Sequence, residues 1–178
     1  LIRDDIGVII KAIKDSGIEC GMNTNGVLIP DRINELKSID MVTVSLDGPK
    51  EMNDANRGDG SFEKIMAGID AALANGIKVH TTTVITQHNY DSVEWLVNLA
   101  EAKGIQAEFN FLFNQSGDKN DSDRFMAKSQ HLRKAALKIA ELKARGAPIL
   151  FSEDVYRYVA NWPDYKNRVV IGNRPAFP

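Results

Sequence analysis

A hydroxyl, a carboxylate and a guanidinium, those of Ser45, Asp47 and Arg57, follow one another in the segment MVTVSLDGPKEMNDANRGDGSFEKI, Met41 to Ile65. The first two end an apolar, β-branched run, Arg57 lies in the polar loop expected after it, and Ser61 opens a helical pattern. Ligands of α/β proteins gather outside the carboxyl ends of parallel strands, so this grouping suits a polar small molecule. Comparable groups close the other strand-like runs: Asn23, Thr24 and Asn25, then Thr86, Gln87, His88 and Asn89, then Asn114 and Gln115. Such a face of hydroxyls and amides can grip a ligand, but it offers no evident nucleophile, and the catalytic residues stay unknown. Turns recruit the same residue types, and a local salt bridge to Asp54 or Asp59 would account for Arg57 without any ligand. From the residues alone both readings stay open.

Other chemistry is poorly supported. His80 lies inside a strand pattern and reads as a packed or satisfied histidine, His131 falls on a helix surface, and His88 has no partner at metal-ligand spacing. No metal site is expected from these three. The only cysteine, Cys20, excludes an internal disulfide and any multi-thiolate cluster built from this chain alone. It reads as a small buried apolar residue. Gly21 to Gly26 matches neither phosphate-binding glycine pattern.

These groups must be positioned by alternating strands and helices. Asp4 to Ser16 has helical apolar spacing and Gly17 to end it; Ile18 to Thr24 reads as a strand closed by Asn25-Gly26. A short helix over Pro30 to Ser38 precedes a strand over Asp40 to Leu46. Ser61, as N-cap, starts a helix that Asn75-Gly76 stops, and the β-branched run Ile77 to Thr86 forms the next strand. A helix over Asp91 to Lys103, a strand over Ile105 to Phe113, a polar loop over Asn114 to Ser122 and a long helix over Asp123 to Arg145 follow. Ile149 to Phe151 could add a short strand, and Ser152 opens a last helix through Ala160, with an irregular remainder to Pro178. Successive βα units predict an α/β fold with a parallel sheet, all strand tips on one face. Four strands cannot close a barrel, so the chain is either an open sheet or part of a larger barrel, with an exposed edge expected to pair with another chain.

Composition narrows the partners. The chain has 178 residues, 43% hydrophobic and 26% charged, with a net charge of -2, which gives no electrostatic case for nucleic acid or an anionic membrane. No apolar run approaches the roughly 20 residues of a membrane span. No basic, then apolar, leader pattern is visible, and a cytoplasmic location is expected.

Taken in order, MNTNGVLI (22–29), VSLDGPKEMNDANRGDGSFEKI (44–65) and GIKVHTTTVITQHN (76–89) resemble the central part of a radical SAM enzyme, and most nearly the branch with a C-terminal SPASM domain that includes peptide and protein maturases. The likeness covers about residues 1–115, and NRPAFP at the end resembles the approach to the SPASM region. It implies a partial (β/α)6 TIM-like barrel, with this chain holding about four parallel strands, the third to the sixth, and flanking helices. Residues 1–151 would form the partial barrel, and 152–178 a helix and linker toward a SPASM-type domain outside this sequence. Ser45 then takes the serine role at the S-adenosylmethionine ribose, Arg57 the arginine role at its methionyl carboxylate, and the region of Leu112 the adenine contact; Asp47 is grouped with these cofactor residues. Thr24, with Asn25, takes the substrate-facing role. In the family a 4Fe-4S cluster held by CxxxCxxC cleaves S-adenosylmethionine reductively to a 5′-deoxyadenosyl radical that abstracts a substrate hydrogen, and GGEP holds the cofactor's amino group. Neither motif occurs here, so the iron-sulfur ligands are absent and this piece alone is expected to be inert. The substrate would be a peptide, protein or small molecule. The rival reading is a non-catalytic open-sheet α/β ligand-binding or interaction module.

Overall fold

The structure is a computed structural model that describes residues 1–112 and 125–162. Phe113 of the expected fourth strand, the expected loop over 114–122 with Asn114 and Gln115, the first residues of the expected long helix, and residues 163–178 of the segment expected toward a SPASM-type domain lie outside the described residues.

Helix α1, Ile6–Asp15, turns Ile10 inward and stops where Gly17 takes a φ of 74°. Strand β1, Gly21–Thr24, follows. Its start is held by Asp40, whose carboxylate accepts the Cys20 N–H at 2.7 Å and the Lys14 ammonium at 2.6 Å. The helix expected over residues 30–38 is only α2, Ile29–Arg32, tightening into a 3-10 turn at Ile33–Glu35. Strand β2, Met41–Ser45, leads into α3, Lys50–Arg57, and then α4, Ser61–Ala74. Strand β3 is Lys78–Ile85, α5 is Val93–Lys103 and β4 is Gln106–Phe111. Helix α6, Ser129–Ala144, begins later than the apolar spacing suggested, and α7, Glu153–Ala160, packs on it. Tyr156 and Ala160 enter the common core, and Arg133 Nε donates to the Ala160 carbonyl at 2.9 Å.

The sheet is parallel throughout, in the order β1-β2-β3-β4. Beyond β4, Ile149 bridges Ala107 in parallel, with Ala107 N–H to the Pro148 carbonyl at 2.8 Å and Leu150 N–H to the Ala107 carbonyl at 2.9 Å. Spatial order therefore follows chain order with no reversal. That is the winding of a barrel wall, whereas a doubly wound sheet reverses its order at a switch point. Val42, Val44, Ile85, Ala107 and Phe109 alternate onto the face covered by α4 and α5, where Ile65, Ile69, Leu96 and Ala100 meet them. Among the described residues no helix is long and apolar enough to cross a membrane.

One approach is unusually close. A Cβ on Gly68 of α4 would stand 2.2 Å from the Gly26 carbonyl oxygen, and Gly26, with a φ of 81°, leaves 2.8 Å from its own hypothetical Cβ to Val44 Cγ1. Two glycines thus let the helix rest directly on the turn that follows β1.

Candidate functional site

The segment after β2 is where the sequence reading needs correction. Arg57 lies not in a loop but at the last position of α3. Apolar periodicity cannot find that helix, because polar contacts fix it. Pro49 caps it, Asn53 N–H donates to the Pro49 carbonyl at 2.8 Å, and Gly58 ends it at a φ of 98°. Nor is Ser61 the N-cap of α4. Gly60 occupies that position, and the capping is done from α3 by Asp54. Its carboxylate accepts the Gly60 and Phe62 N–H groups at 3.2 and 2.8 Å and the Ser61 hydroxyl at 3.0 Å. The Phe62 bond, followed by those to Ser61 and Gly60 and by Lys50, pulls the Asp54 carboxyl down to about 2 against the cost of burial.

This frame aims Arg57 at Asp47. Arg57 Nε and one terminal nitrogen donate to the two Asp47 oxygens at 2.8 and 3.0 Å, a bidentate pair. Asp47 is the more enclosed partner, its side chain 10% exposed against 28% for Arg57. Asn56 adds a longer bond to Asp47 at 3.4 Å. The backbone beneath is pinned by two fully buried amides. Asn53 accepts the Asp47 N–H at 3.2 Å and donates to the Ser61 hydroxyl at 2.9 Å. Asn89 donates to the Asp47 and Val84 carbonyls at 3.1 and 2.9 Å and accepts the Thr86 N–H at 2.7 Å. In the sequence Asn89 is legible only as a strand-tip residue, and the role of Asn53 is not legible at all. Asn89 carries a usable signal, a polar residue close behind a strand, whereas Asn53, inside α3, carries none that apolar spacing can pick out.

The other named residues fall as follows. Ser45 ends β2, half-buried, and its hydroxyl has no hydrogen-bond partner among the described residues. Leu112 follows β4, half-buried. Thr24 aligns in register with Val44, on the helix side, and its hydroxyl accepts the Gly26 N–H at 3.1 Å, so Asn23 is the β1 residue on the uncovered face. Asn25 accepts the Val27 N–H at 3.2 Å in the same turn. His80 is buried but not satisfied: its Nε2 has no hydrogen-bond partner. Burial first, and Lys78 second, hold it below the ordinary histidine value, with Glu108 opposing. His131 stacks on Tyr90 at 4.0 Å. Beside α3 a cavity of about 740 Å³ is lined by Pro49, Met52, Asn56, His88 and others.

A family model, Radical SAM superfamily, matches residues 1–100. The chain belongs to the radical SAM superfamily. An AdoMet-dependent heme synthase of Nitratidesulfovibrio vulgaris is 33% identical over 122 residues, covering 66% of this chain and 33% of that protein. GTP 3′,8-cyclase 1 of Mycobacterium tuberculosis is 36% identical over 125 residues, covering 63% and 34%. This radical SAM chain thus spans about a third of the curated relatives it matches. Among solved structures, Streptococcus suis SuiB shares the fold at a TM-score of 0.66 and 17% identity, over 84% of this chain and 36% of that one; it has also been solved bound to S-adenosylmethionine and to its precursor peptide SuiA.

Two group fits can be tested on the residues. Arg57 spends two of its five N–H donors on Asp47, and Ser45 offers an unengaged hydroxyl at the same end of the sheet; the remaining donors and that hydroxyl would suit a ligand with a carboxylate and a sugar, as S-adenosylmethionine has. An iron-sulfur cluster does not fit this chain. Cys20 is buried just before β1, at the opposite end of the strands from Ser45, and the described residues hold no group of three metal-ligating side chains.

Proposed function

We propose that this chain forms the S-adenosylmethionine-orienting wall of a radical SAM enzyme of the SPASM-containing branch that acts on a peptide. Ser45 would meet the cofactor's ribose, Arg57 its methionyl carboxylate, and the backbone near Leu112 its adenine. Asp47 holds Arg57 rather than the cofactor, and Asn25 with Asn23 borders the substrate. The observation that carries the reading is the superfamily match over residues 1–100 together with the Asp47–Arg57 pair at the same end of the sheet as Ser45. A solved neighbour of the same fold bound to a precursor peptide supports the peptide assignment. The cluster's cysteines would come from outside these 178 residues, so the chain's own contribution is binding and orientation. The cofactor's radical chemistry is not this wall's to supply.

The test uses the complete protein that carries these residues, purified anaerobically and reconstituted with iron and sulfide. With a chemical reductant it should release 5′-deoxyadenosine from S-adenosylmethionine. Ser45→Ala and Arg57→Ala should raise KM for S-adenosylmethionine. A gene without a CxxxCxxC segment, or a cluster-loaded protein that yields no 5′-deoxyadenosine, overturns the reading.

A further inference from the structure

Two adjacent rows of the sheet face turned away from the helices are polar, between a row with Met41 and Lys78 and a row with Val84 and Asn110. Register aligns Asn23, Thr43, His80 and Gln106 in one row and Ser45, Thr82 and Glu108 in the next. The inner face of a barrel wall is ordinarily filled by branched apolar side chains, so this composition calls for a polar occupant. Glu108 is the one charged group in those two rows. It is half-buried, accepts the Asn110 amide at 2.9 Å, and pairs with no cation among the described residues. The same Asn110 nitrogen donates to the Thr82 hydroxyl at 3.1 Å, which ties the carboxylate to both strands. One row down, His80 is 4% exposed and its Nε2 is unpartnered. Lys78 lies four residues below Thr82 on the same strand, roughly 13 Å along it at the strand rise, and forms no ion pair with Glu108 among the described residues.

We infer that this face selects a substrate bearing an amine or guanidinium, such as the basic side chain of a peptide, with Glu108 as the specificity-determining residue. The inference rests on the proposed function, in which this face borders the substrate. A half-buried carboxylate among neutral donors and acceptors attracts a cation and rejects a polyanion, because an anion brought there meets like charge in a poorly solvated place. His80 adds no competing charge while it stays neutral. The wall would therefore disfavour a nucleoside triphosphate, the ligand class in the name of one relative.

Saturation-transfer NMR on the complete protein tests this with three probes: Nα-acetyl-lysine N-methylamide, its Nε-acetylated neutral analogue, and GTP. The amine probe should bind about tenfold more tightly than the neutral analogue, with GTP weakest. Glu108→Gln should abolish that preference while S-adenosylmethionine binding and the circular dichroism spectrum stay unchanged. Equal binding of amine and neutral probes, a preference that survives Glu108→Gln, or no transfer from the amine probe at about 10 mM overturns the inference. Because 5′-deoxyadenosine release does not depend on these probes, its loss would fail the proposed function separately.

Discussion

The Arg57 guanidinium has one edge clamped by Asp47, and in the proposed function its remaining donors meet an anionic group. Lysine can reproduce the charge but not the fork. Arg57→Lys should therefore raise KM for S-adenosylmethionine about tenfold in the reconstituted complete protein, with a smaller change in kcat. Asp47→Asn should cost about 2 kcal/mol in urea unfolding, since it weakens two charge-assisted bonds at an enclosed position. His80 gives a pH signature. The unfolded chain takes up a proton near the ordinary value of 6.5, while the folded chain resists it because burial and Lys78 disfavour the imidazolium. The unfolded state then binds more protons, so stability falls as pH drops through that value. Thermal melts between pH 8 and 5 should show the decline, and His80→Phe should flatten it.

At the scale of elements, the sequence was legible where a single physical signal decides. β2 and β3 are runs of Val, Ile and Thr bounded by turn residues, and α4 has an apolar stripe at Ile65, Ile69 and Ala72, so each was placed to within a residue or two. α3 reads as a loop in the sequence because its order comes from Asn53 and Asp54, whose partners lie outside it. The same holds for the site: Ser45, Asp47 and Arg57 were visible as types at a spacing, but their pairing needed a folded helix to show it. Asp54→Ala should fray the start of α4 and lower Tm by roughly 5 °C, with faster amide exchange at Gly60 and Phe62 as the local readout. The depressed Asp54 carboxyl stabilises the fold above its unfolded value of 3.8, and that contribution disappears as pH falls toward about 2.

For the molecule as a whole, sequential parallel order makes β1 an edge with no strand beyond it among the described residues. Its backbone groups on that side are a template for pairing. The 178-residue chain, made alone, should sediment as a concentration-dependent mixture, and Asn23→Lys should shift it toward monomer by placing charge on the edge strand. The edge was predictable from the count of βα units. That the opposite face would be polar was not, because alternation names two faces without saying which one the helices cover.

The contact between Gly68 and the Gly26 carbonyl works as a bearing without clearance. The loop after β1 cannot shift toward α4, and α4 cannot slide along the sheet, unless both move. The start of α4 is in turn fastened through Asp54 to the helix that ends in Arg57. A displacement of the turn at Asn25 should therefore be felt at Arg57. Gly68→Ala should widen that gap at a cost of about 1–3 kcal/mol and loosen Arg57 without touching it, detectable as a raised KM for S-adenosylmethionine.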